Sequence, residues 1–287
     1  MRYQFLRFPE GKSKAVTFSY DDGVNQDIRF SEILNKYKMK GTFNLNNQSL
    51  KRKNGLSKDE VIEYLLKKGH EIAVHGANHR ANCNIRSIEG IQDVLNNRLE
   101  LEETYGIIIR GMAYPDTGIN KYANDANYEK VKTYLQELDI TYARTLGGDN
   151  NSFEMPQDWY AWMPTAHHNN PQIFDYIEEF LNINLEDEKA YCARRQPRLF
   201  YLWGHSYEFD NNDNWDRIEQ ICERLSFKDN TWYATNMEIY EYVKAYHSLI
   251  YSADGTRIYN PTLHTIWFDR DRILYVIKPG ETVKISE

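Results

Sequence analysis

Residues 16–23 read Val16-Thr17-Phe18-Ser19-Tyr20-Asp21-Asp22-Gly23, an apolar, β-branched and aromatic run that ends in two carboxylates and a glycine. Such a run predicts a strand that stops at a sharp turn. Because neighbouring side chains on a strand point to opposite faces, one carboxylate is available to a metal while the other stays free as a base. The alternative is a surface turn, since Asp-Asp-Gly is also ordinary turn chemistry.

Strand and helix patterns alternate from this stretch onward. Strands are predicted at residues 14–20, 41–45 and 70–75, and helices at 28–38 and after Ser57. Ser57 and Glu60 have the spacing of a capping box, and Gly69 ends that helix. A β-α-β-α-β order predicts parallel strands joined by crossover helices.

The same reading continues through the rest of the chain. Helices are predicted at 87–105 with Ser87 as cap, at 128–138, 174–181 and 214–225, and at 237–247 with Asn236 as cap. Strands are predicted at 106–109, 140–143 and 198–203. A polar loop is predicted at residues 147–158. From about Leu249 only short strands follow, at 250–258, 265–268, 273–277 and 283–285. This change predicts a main domain at 1–248 and a β appendage at 249–287. The appendage could bind glycan, form a dimer or cover the main fold.

Composition narrows the classes of partner. A chain of 287 residues allows one large domain or two small ones. The net charge of -7 argues against a nucleic-acid partner, because no basic surplus is available to release counterions. Aromatic residues make up 14% of the chain, which suits a site that stacks on sugars. A homo-oligomer is left open.

The three cysteines, Cys83, Cys192 and Cys222, are widely separated, which indicates neither a thiolate zinc site nor a disulfide framework. The sequence contains no apolar run of about 18 residues, so no membrane span is predicted. The first residues lack the apolar stretch of a signal peptide, so a cytoplasmic location is expected unless a leader was removed.

A second motif, His75-Gly76-Ala77-Asn78-His79, follows the third predicted strand. If this segment turns helically, a spacing of four lets both imidazoles converge on one ion. Zinc accepts imidazole nitrogen plus carboxylate oxygen and keeps a position open for water. Two loop histidines with local hydrogen bonds are the alternative. The place at the C-terminal end of a parallel strand favours a ligand site.

His205 stands at the tip of the apolar strand predicted at 198–203, on the same expected face. An imidazole there suits a general acid near neutral pH, and the alternative is a capping or core histidine. Taken together, Ser19-Tyr20-Asp21-Asp22-Gly23, the His75–His79 spacing and Leu202-Trp203-Gly204-His205 resemble three motifs of the polysaccharide deacetylases, carbohydrate esterase family four. The resemblance spans about residues 14–245.

This resemblance implies a distorted (β/α) barrel of about seven strands that binds one divalent metal ion, usually zinc. Asp22, His75 and His79 would be the metal ligands. Asp21 would be the general base toward the attacking water, and His205 would protonate the leaving amine or sugar oxygen. The tetrahedral oxyanion then needs the metal and one further hydrogen-bond donor.

Three departures from the family pattern leave roles to assign. The proline after Asp-Asp-Gly is Val24, and the family's arginine-proline-proline-tyrosine-glycine motif corresponds best to residues 113–118, with Ala113 at the arginine position. The oxyanion donor would be a backbone N–H near Asp116, beside Tyr114. Arg144 is the first candidate and Arg110 the second for the arginine that holds Asp21.

The carboxylate that tunes His205 has two candidates, Asp158 and Asp210. Substrate-binding candidates lie in the loop Trp162-Met163-Pro164-Thr165-Ala166-His167-His168 and beside His205, where Trp203 and Tyr207 flank it. Trp162 and His168 are predicted to line a sugar subsite, and the alternative is a packed loop whose histidines face solvent. Trp203 forms an acetyl or sugar pocket or belongs to the strand core.

The expected function is a metal-dependent hydrolase that removes acetyl groups from an N- or O-acetylated poly- or oligosaccharide through a metal-activated water. One alternative is a carbohydrate-binding protein that keeps the scaffold with weak or no catalysis. The other is a metal-dependent amidohydrolase that acts on a different carbon–nitrogen bond.

Overall fold

The structure, a computed structural model, describes residues 3–187 and 195–285. Cys192 therefore lies outside the described residues. Fourteen strands occur in the described ranges: β1 (Gln4–Arg7), β2 (Lys14–Asp22), β3 (Thr42–Leu45), β4 (Glu71–Val74), β5 (Gly111–Ala113), β6 (Tyr142–Arg144), β7 (Ala166–His167), β8 (Arg198–Gly204), β9 (Thr231–Tyr233), β10 (Ile250–Tyr251), β11 (Arg257–Tyr259), β12 (Ile266–Arg270), β13 (Ile273–Ile277) and β14 (Thr282–Lys284).

The helices between them are α1 (Gln26–Lys36), α2 (Asn47–Leu50), α3 (Lys58–Glu60), α4 (Ser87–Tyr105), α5 (Tyr128–Glu137), α6 (Ile173–Asn182), α7 (Tyr207–Asn211), α8 (Trp215–Leu225) and α9 (Asn236–His247). The predicted capping box of Ser57 and Glu60 is confirmed at the start of α3. Beyond Glu60 the same helix continues through a π turn and a 3-10 turn to Gly69, whose φ of 79° ends it.

One curved sheet carries the central strands in the order β6-β5-β4-β3-β2-β8-β7, and every neighbouring pair is parallel. β9 pairs with the first residues of β2. Trp162 bridges to Arg144 beside β6, and the same segment then becomes β7 beside β8. The seven strands therefore curl into a half-barrel, and the predicted distorted (β/α) barrel is confirmed.

β2 lies in the middle of this sheet and is buried along almost its whole length. Its apolar, β-branched run suits a parallel strand that is covered on both faces. The C-terminal ends of β2, β3, β4 and β8 meet at one edge, because all four strands run in the same direction. That edge carries the carboxylates at the end of β2 and the histidines that follow β4 and β8.

Two helix caps differ from the predictions. Arg86, not Ser87, is the N-cap of α4, and its N–H donates to the Glu89 carboxylate. Thr235, not Asn236, caps α9, where its hydroxyl accepts from the N–H of Glu238. In both cases the first helical turn begins one residue earlier than the apolar pattern indicates.

The strand predicted at 106–109 is wrong. Gly106 ends α4 with a φ of 67°, and β5 begins only at Gly111. Ile108 is 80% exposed, so this apolar run belongs to a connecting loop. Gly111 itself has no room for a side chain, since an added Cβ would lie 2.2 Å from the Tyr142 hydroxyl oxygen.

The predicted β appendage is confirmed as two small antiparallel sheets, β1-β12-β13 and β10-β11-β14. β1 comes from the start of the chain and pairs with β12 from Gln4↔Arg270 to Arg7↔Trp267. The division at residues 248 and 249 stays a prediction. Within the described ranges, no helix is long and apolar enough to cross a bilayer.

Glu71 is a partly buried residue at the start of β4, at the end of the barrel away from the site-bearing edge. It accepts hydrogen bonds from the Tyr142 hydroxyl (2.5 Å), the Thr42 hydroxyl (2.8 Å) and the Met237 N–H (2.8 Å). Burial outweighs these donors and raises the pKa of Glu71 to about 7. The folded protein therefore holds a proton that the unfolded chain has already released.

Because the folded pKa is the higher one, stability from this group is fully present below the unfolded pKa and is lost as pH rises toward 7. Relative to a Glu71→Gln variant, the wild-type protein should gain up to about 1.4 kcal/mol of unfolding free energy per pH unit as pH falls from about 7 to about 4.5. Urea titrations of both proteins across this range measure the difference. A difference that does not vary with pH would contradict the prediction.

Candidate active site

Asp21 occupies the centre of the site at the C-terminal end of β2 and is fully buried. Its Oδ1 accepts a 2.8 Å hydrogen bond from the side-chain amide of Asn44, the facing residue on β3. Its Oδ2 lies 2.5 Å from Nη2 of Arg144, which is also fully buried. Burial acts to raise the pKa of Asp21, but Arg144, His75 and His205 outweigh it and hold the pKa below its usual range.

Asp22, the next residue, has a φ of 90°, a backbone conformation that is rare outside glycine. Asn46 lies two residues after Asn44, and its amide donates to Asp22 Oδ1 at 2.7 Å. Each asparagine at the end of β3 therefore fixes one of the two adjacent carboxylates. The strained backbone turns Asp22 toward the histidines that follow β4.

His75 and His79 both approach Asp22, as the sequence predicts. The distances to Asp22 Oδ1 are 4.0 Å from His75 Nε2 and 3.6 Å from His79 Nε2. The predicted helical turn is absent, because Gly76 (φ 77°) and His79 (φ 53°) have left-handed backbone conformations. A tight turn, not a helix, brings the two imidazoles together.

The donor set fits a divalent metal ion. Candidate ligand atoms of Asp22, His75 and His79 all lie within 4.8 Å of one another. His75 Nδ1 lies 2.9 Å from the Ala113 carbonyl oxygen, to which it donates, while its buried Nε2 has no hydrogen-bond partner. Burial lowers the pKa of His75, so the ring is held neutral with a bare nitrogen aimed into the cluster. Two imidazoles and one carboxylate are a zinc-type set that leaves an open position.

Helix α4 supports this turn with polar residues on its buried face. Asn97 Oδ1 accepts from the N–H of His75 at 2.8 Å, and Asp93 Oδ1 accepts from the N–H of Asn78 at 2.8 Å. Gly76 must be glycine here, because an added Cβ would lie 2.4 Å from Asp93 Oδ2. None of these contacts is visible in the apolar periodicity of the helix.

Arg144, the first candidate to hold Asp21, lies against it, whereas Arg110, the second, is exposed and donates to the Asp139 carbonyl. The Arg144 guanidinium lies over the Trp203 ring, with 4.5 Å from Cζ to the ring centroid. Trp203 therefore borders the site by covering this arginine. Its part in an acetyl or sugar pocket stays a prediction.

His205 lies at the tip of β8 with its Nε2 3.9 Å from Asp21 Oδ2. Neither predicted tuning carboxylate reaches it. The Asp158 carboxylate accepts hydrogen bonds from Tyr128 and Lys132. The Asp210 carboxylate accepts hydrogen bonds from Gln26 and Trp215. Glu208 takes the place instead, with Oε1 2.8 Å from His205 Nδ1.

Sequence reasoning missed Glu208, although its position three residues after His205 on the short helix α7 was a usable signal. Burial acts to lower the pKa of His205, but the hydrogen bond that its Nδ1 donates to Glu208 and the nearby charges of Asp21 and Asp22 outweigh it and leave the pKa raised. His205 is therefore biased toward the protonated form.

Three further candidates do not present side chains to the site. Trp162 is buried and packs edge-on against Tyr142 and Tyr201, so its predicted place in a sugar subsite is wrong. Tyr114 is buried, and its hydroxyl donates to the Tyr160 carbonyl. His168 is fully buried against Glu208 and does not line an open subsite.

Asp116 is exposed with a φ of 53° in the turn after β5. Ala113 at the end of that strand lies beside His75. The turn therefore starts next to the candidate metal ligands, and the oxyanion role of a backbone N–H near Asp116 stays a prediction.

Comparison with known proteins agrees with this arrangement. The polysaccharide deacetylase family matches residues 9–135, which include both carboxylates and both candidate histidine ligands. This part of the chain resembles the polysaccharide deacetylases. Among curated proteins, no sequence matches the chain.

Solved structures of polysaccharide deacetylases share the fold of this chain. A candidate polysaccharide deacetylase from Mycobacterium smegmatis is 18% identical with a TM-score of 0.56, covering 84% of this chain and 94% of that one. A mutant of the peptidoglycan deacetylase PdaC from Bacillus subtilis is 15% identical with a TM-score of 0.50, covering 82% and 93%. The family match over residues 9–135 supports a hydrolase that removes acetyl groups from polysaccharide.

Proposed function

We propose that the chain is a metal-dependent deacetylase that hydrolyses N- or O-acetyl groups of a poly- or oligosaccharide, with zinc as its metal ion. One observation carries the proposal: the candidate ligands Asp22, His75 and His79 converge beside a buried Asp21 that is paired with Arg144, and His205 faces the same carboxylate. A ligand set, a base and an acid thus meet at one edge of the sheet.

Asp22, His75 and His79 would hold the ion. When bound, the ion supplies Lewis-acid polarisation of the acetyl carbonyl and lowers the pKa of water. Asp21 is kept ionised by Arg144 and is available to accept a proton from the attacking water. Arg144 also fixes the direction of that carboxylate, because the guanidinium is itself held against Trp203.

His205 acts on the other side of the reacting centre. Its Nδ1 is bound to Glu208, so Nε2 is the nitrogen that faces Asp21 and the substrate. A histidine biased toward the protonated form can donate a proton to the leaving amine or sugar oxygen. Base and acid are thus separate groups that both lie next to the ligand set.

Metal removal tests the proposal directly. Elemental analysis of the purified protein should find about one zinc ion per chain, since the ligand set offers three protein donors and one open position. Acetate release from acetylated xylan and chitin oligomers should stop with chelator and return with added zinc.

The control for this test is an Asp229→Asn variant, an exposed carboxylate outside the ligand set. Bound zinc without acetate release from either polymer would favour the carbohydrate-binding alternative. Release of other amides in preference to acetyl groups would favour the amidohydrolase alternative. Failure to bind zinc after reconstitution would contradict the proposal.

A further inference from the structure

A second cluster of imidazoles lies beside His205 around one carboxylate, Glu208. Its Oε1 faces His205 Nδ1 at 2.8 Å. Its Oε2 faces His168 Nε2 at 3.1 Å, His167 Nε2 at 3.3 Å and the side-chain amide of Asn169 at 2.8 Å. The Asn169 amide donates a hydrogen bond to Oε2, and the Nε2 atoms of His167 and His168 lie close to the same oxygen, although His168 Nε2 is not aligned for a hydrogen bond.

The hydrogen bonds around the histidine pair decide which ring nitrogens carry protons. The backbone N–H of Asn169 donates to His167 Nδ1 at 3.1 Å. A neutral His167 ring that accepts at Nδ1 carries its proton on Nε2, which is the atom that faces Glu208. His167 is thus a donor to the carboxylate.

The surroundings of His168 also favour a neutral ring with its proton on Nε2. Burial lowers its pKa to about 4, so the ring is neutral near pH 7. Its Nδ1 lies 3.2 Å from the buried hydroxyl of Tyr20, which donates to it when Nε2–H is directed at Glu208. Burial acts to raise the pKa of Glu208, but the imidazole donors outweigh it and hold the pKa well below its usual range.

The surrounding core holds His168 in place. Its ring lies between Tyr20 and Phe209, with centroid separations of 5.7 Å and 4.3 Å. Glycine is the only residue type that fits at position 204, directly before His205, because an added Cβ would lie 2.0 Å from His168 Nδ1. The histidine and the strand tip that carries His205 are therefore packed as one unit.

We propose that His167 and His168 are positioning residues that lock Glu208 onto Nδ1 of His205, so that the neutral His205 ring carries its proton on Nδ1 and presents Nε2 to the reacting atoms. The inference rests on the proposed function, in which His205 is the general acid. Neither histidine of the pair touches substrate in this role. They act only through Glu208.

A cation held by His167, His168 and Glu208 is the rival interpretation, since candidate ligand atoms of these three residues also lie within 4.8 Å of one another. Ligation through His167 Nε2 needs that nitrogen bare and Nδ1 protonated. The Asn169 N–H already occupies Nδ1 as a donor, which opposes that tautomer. Zinc stoichiometry separates the two interpretations.

The experiment compares zinc-loaded wild-type protein with His168→Leu, His168→Gln and the double variant His167→Leu/His168→Leu. Nitrogen-15 NMR of the labelled protein reports the tautomer of His205, whose signals are identified by their loss in His205→Gln. Leucine removes the N–H donor and keeps volume in the core, whereas glutamine restores an N–H donor. His247→Gln, an exposed histidine at the end of α9, is the matched control.

At a pH high enough to deprotonate His205, whose pKa is raised, the wild-type spectrum should show Nδ1–H on the neutral ring, and the leucine variants should show a mixture of tautomers. Their kcat for acetate release should fall by about 10- to 100-fold with little change in KM, as for other residues that orient an active group indirectly. Glutamine at position 168 should recover most of both signals, and His247→Gln should match the wild type.

An unchanged His205 tautomer and unchanged kcat in the double variant would overturn the proposal. A second zinc ion per chain that disappears in His168→Leu would also overturn it. A tautomer change in protein that binds zinc but releases no acetate would support the positioning role while contradicting the proposed function. The two failures are therefore distinguishable.

Discussion

Asp21→Asn should keep its zinc and lower kcat for acetate release by about 10²- to 10⁴-fold, the usual contribution of a positioned general base. The amide keeps the shape of the side chain and can still accept the hydrogen bond from Asn44 at Oδ1. It cannot accept a proton from water. Asp22→Ala should instead lose the metal, because it removes the carboxylate that both histidines face.

Zinc content and steady-state kinetics on the same preparations check this contrast between neighbouring residues. Asp229→Asn should behave as wild type in both measurements, since that side chain is exposed. Full turnover in Asp21→Asn would show that Asp21 is not the general base. Normal zinc content in Asp22→Ala would remove Asp22 from the ligand set.

Arg144→Met should lower the free energy of unfolding by about 3–5 kcal/mol, the usual cost of leaving one member of a buried ion pair without its partner. Both Arg144 and Asp21 are fully buried, so water cannot replace the guanidinium. Removing both charges in Asp21→Asn/Arg144→Met should cost less than the sum of the single variants. Guanidinium chloride titrations of the four proteins give this coupling energy.

Arg110→Met is the matched control, because Arg110 is exposed and directs its guanidinium to a backbone carbonyl. Its unfolding free energy should stay within about 0.5 kcal/mol of wild type. Equal stability of the two methionine variants would show that the Arg144–Asp21 pair does not stabilise the fold.

The strand ends could be predicted from sequence because parallel strands deliver their C-terminal residues to one edge. That rule was sufficient to bring Asp21 and Asp22 together with His75, His79 and His205. The rule did not by itself separate Arg144 from Arg110, since each follows a predicted strand, and only the structure places Arg144 against Asp21. The positions of these site residues depend on the direction and order of the strands, and the alternating pattern of apolar runs predicts both.

Helix α4 shows why the surrounding polar contacts could not be predicted. Apolar periodicity turns Ile88 and Leu99 inward, yet they are 54% and 53% exposed. Asp93 and Asn97 are buried instead, because they bind the backbone of the His75–His79 turn. Apolar periodicity indicates only which side chains favour transfer out of water. It does not indicate that buried backbone N–H groups of a neighbouring turn need polar side chains as acceptors.

Glu208 was missed for a related reason. A carboxylate beside a solvent-facing helix is usually solvated, and its role depends on imidazoles from a different part of the chain. The pair His167-His168 was noted as a feature of an open loop, whereas one of the two rings is part of the core. Only the packing of β7 against β8 brings these groups together.

The pairing of β2 also has a consequence for the order in which the protein is made and folded. β2 is synthesised before β8, which covers one of its sides in the register Lys14↔Arg198, and before β9, which pairs with its first residues in the register Lys14↔Thr231. Contacts this distant in sequence form slowly, because a long loop must close before they contribute. On the ribosome, the two carboxylates should therefore emerge well before the strands β8 and β9 that complete their buried environment.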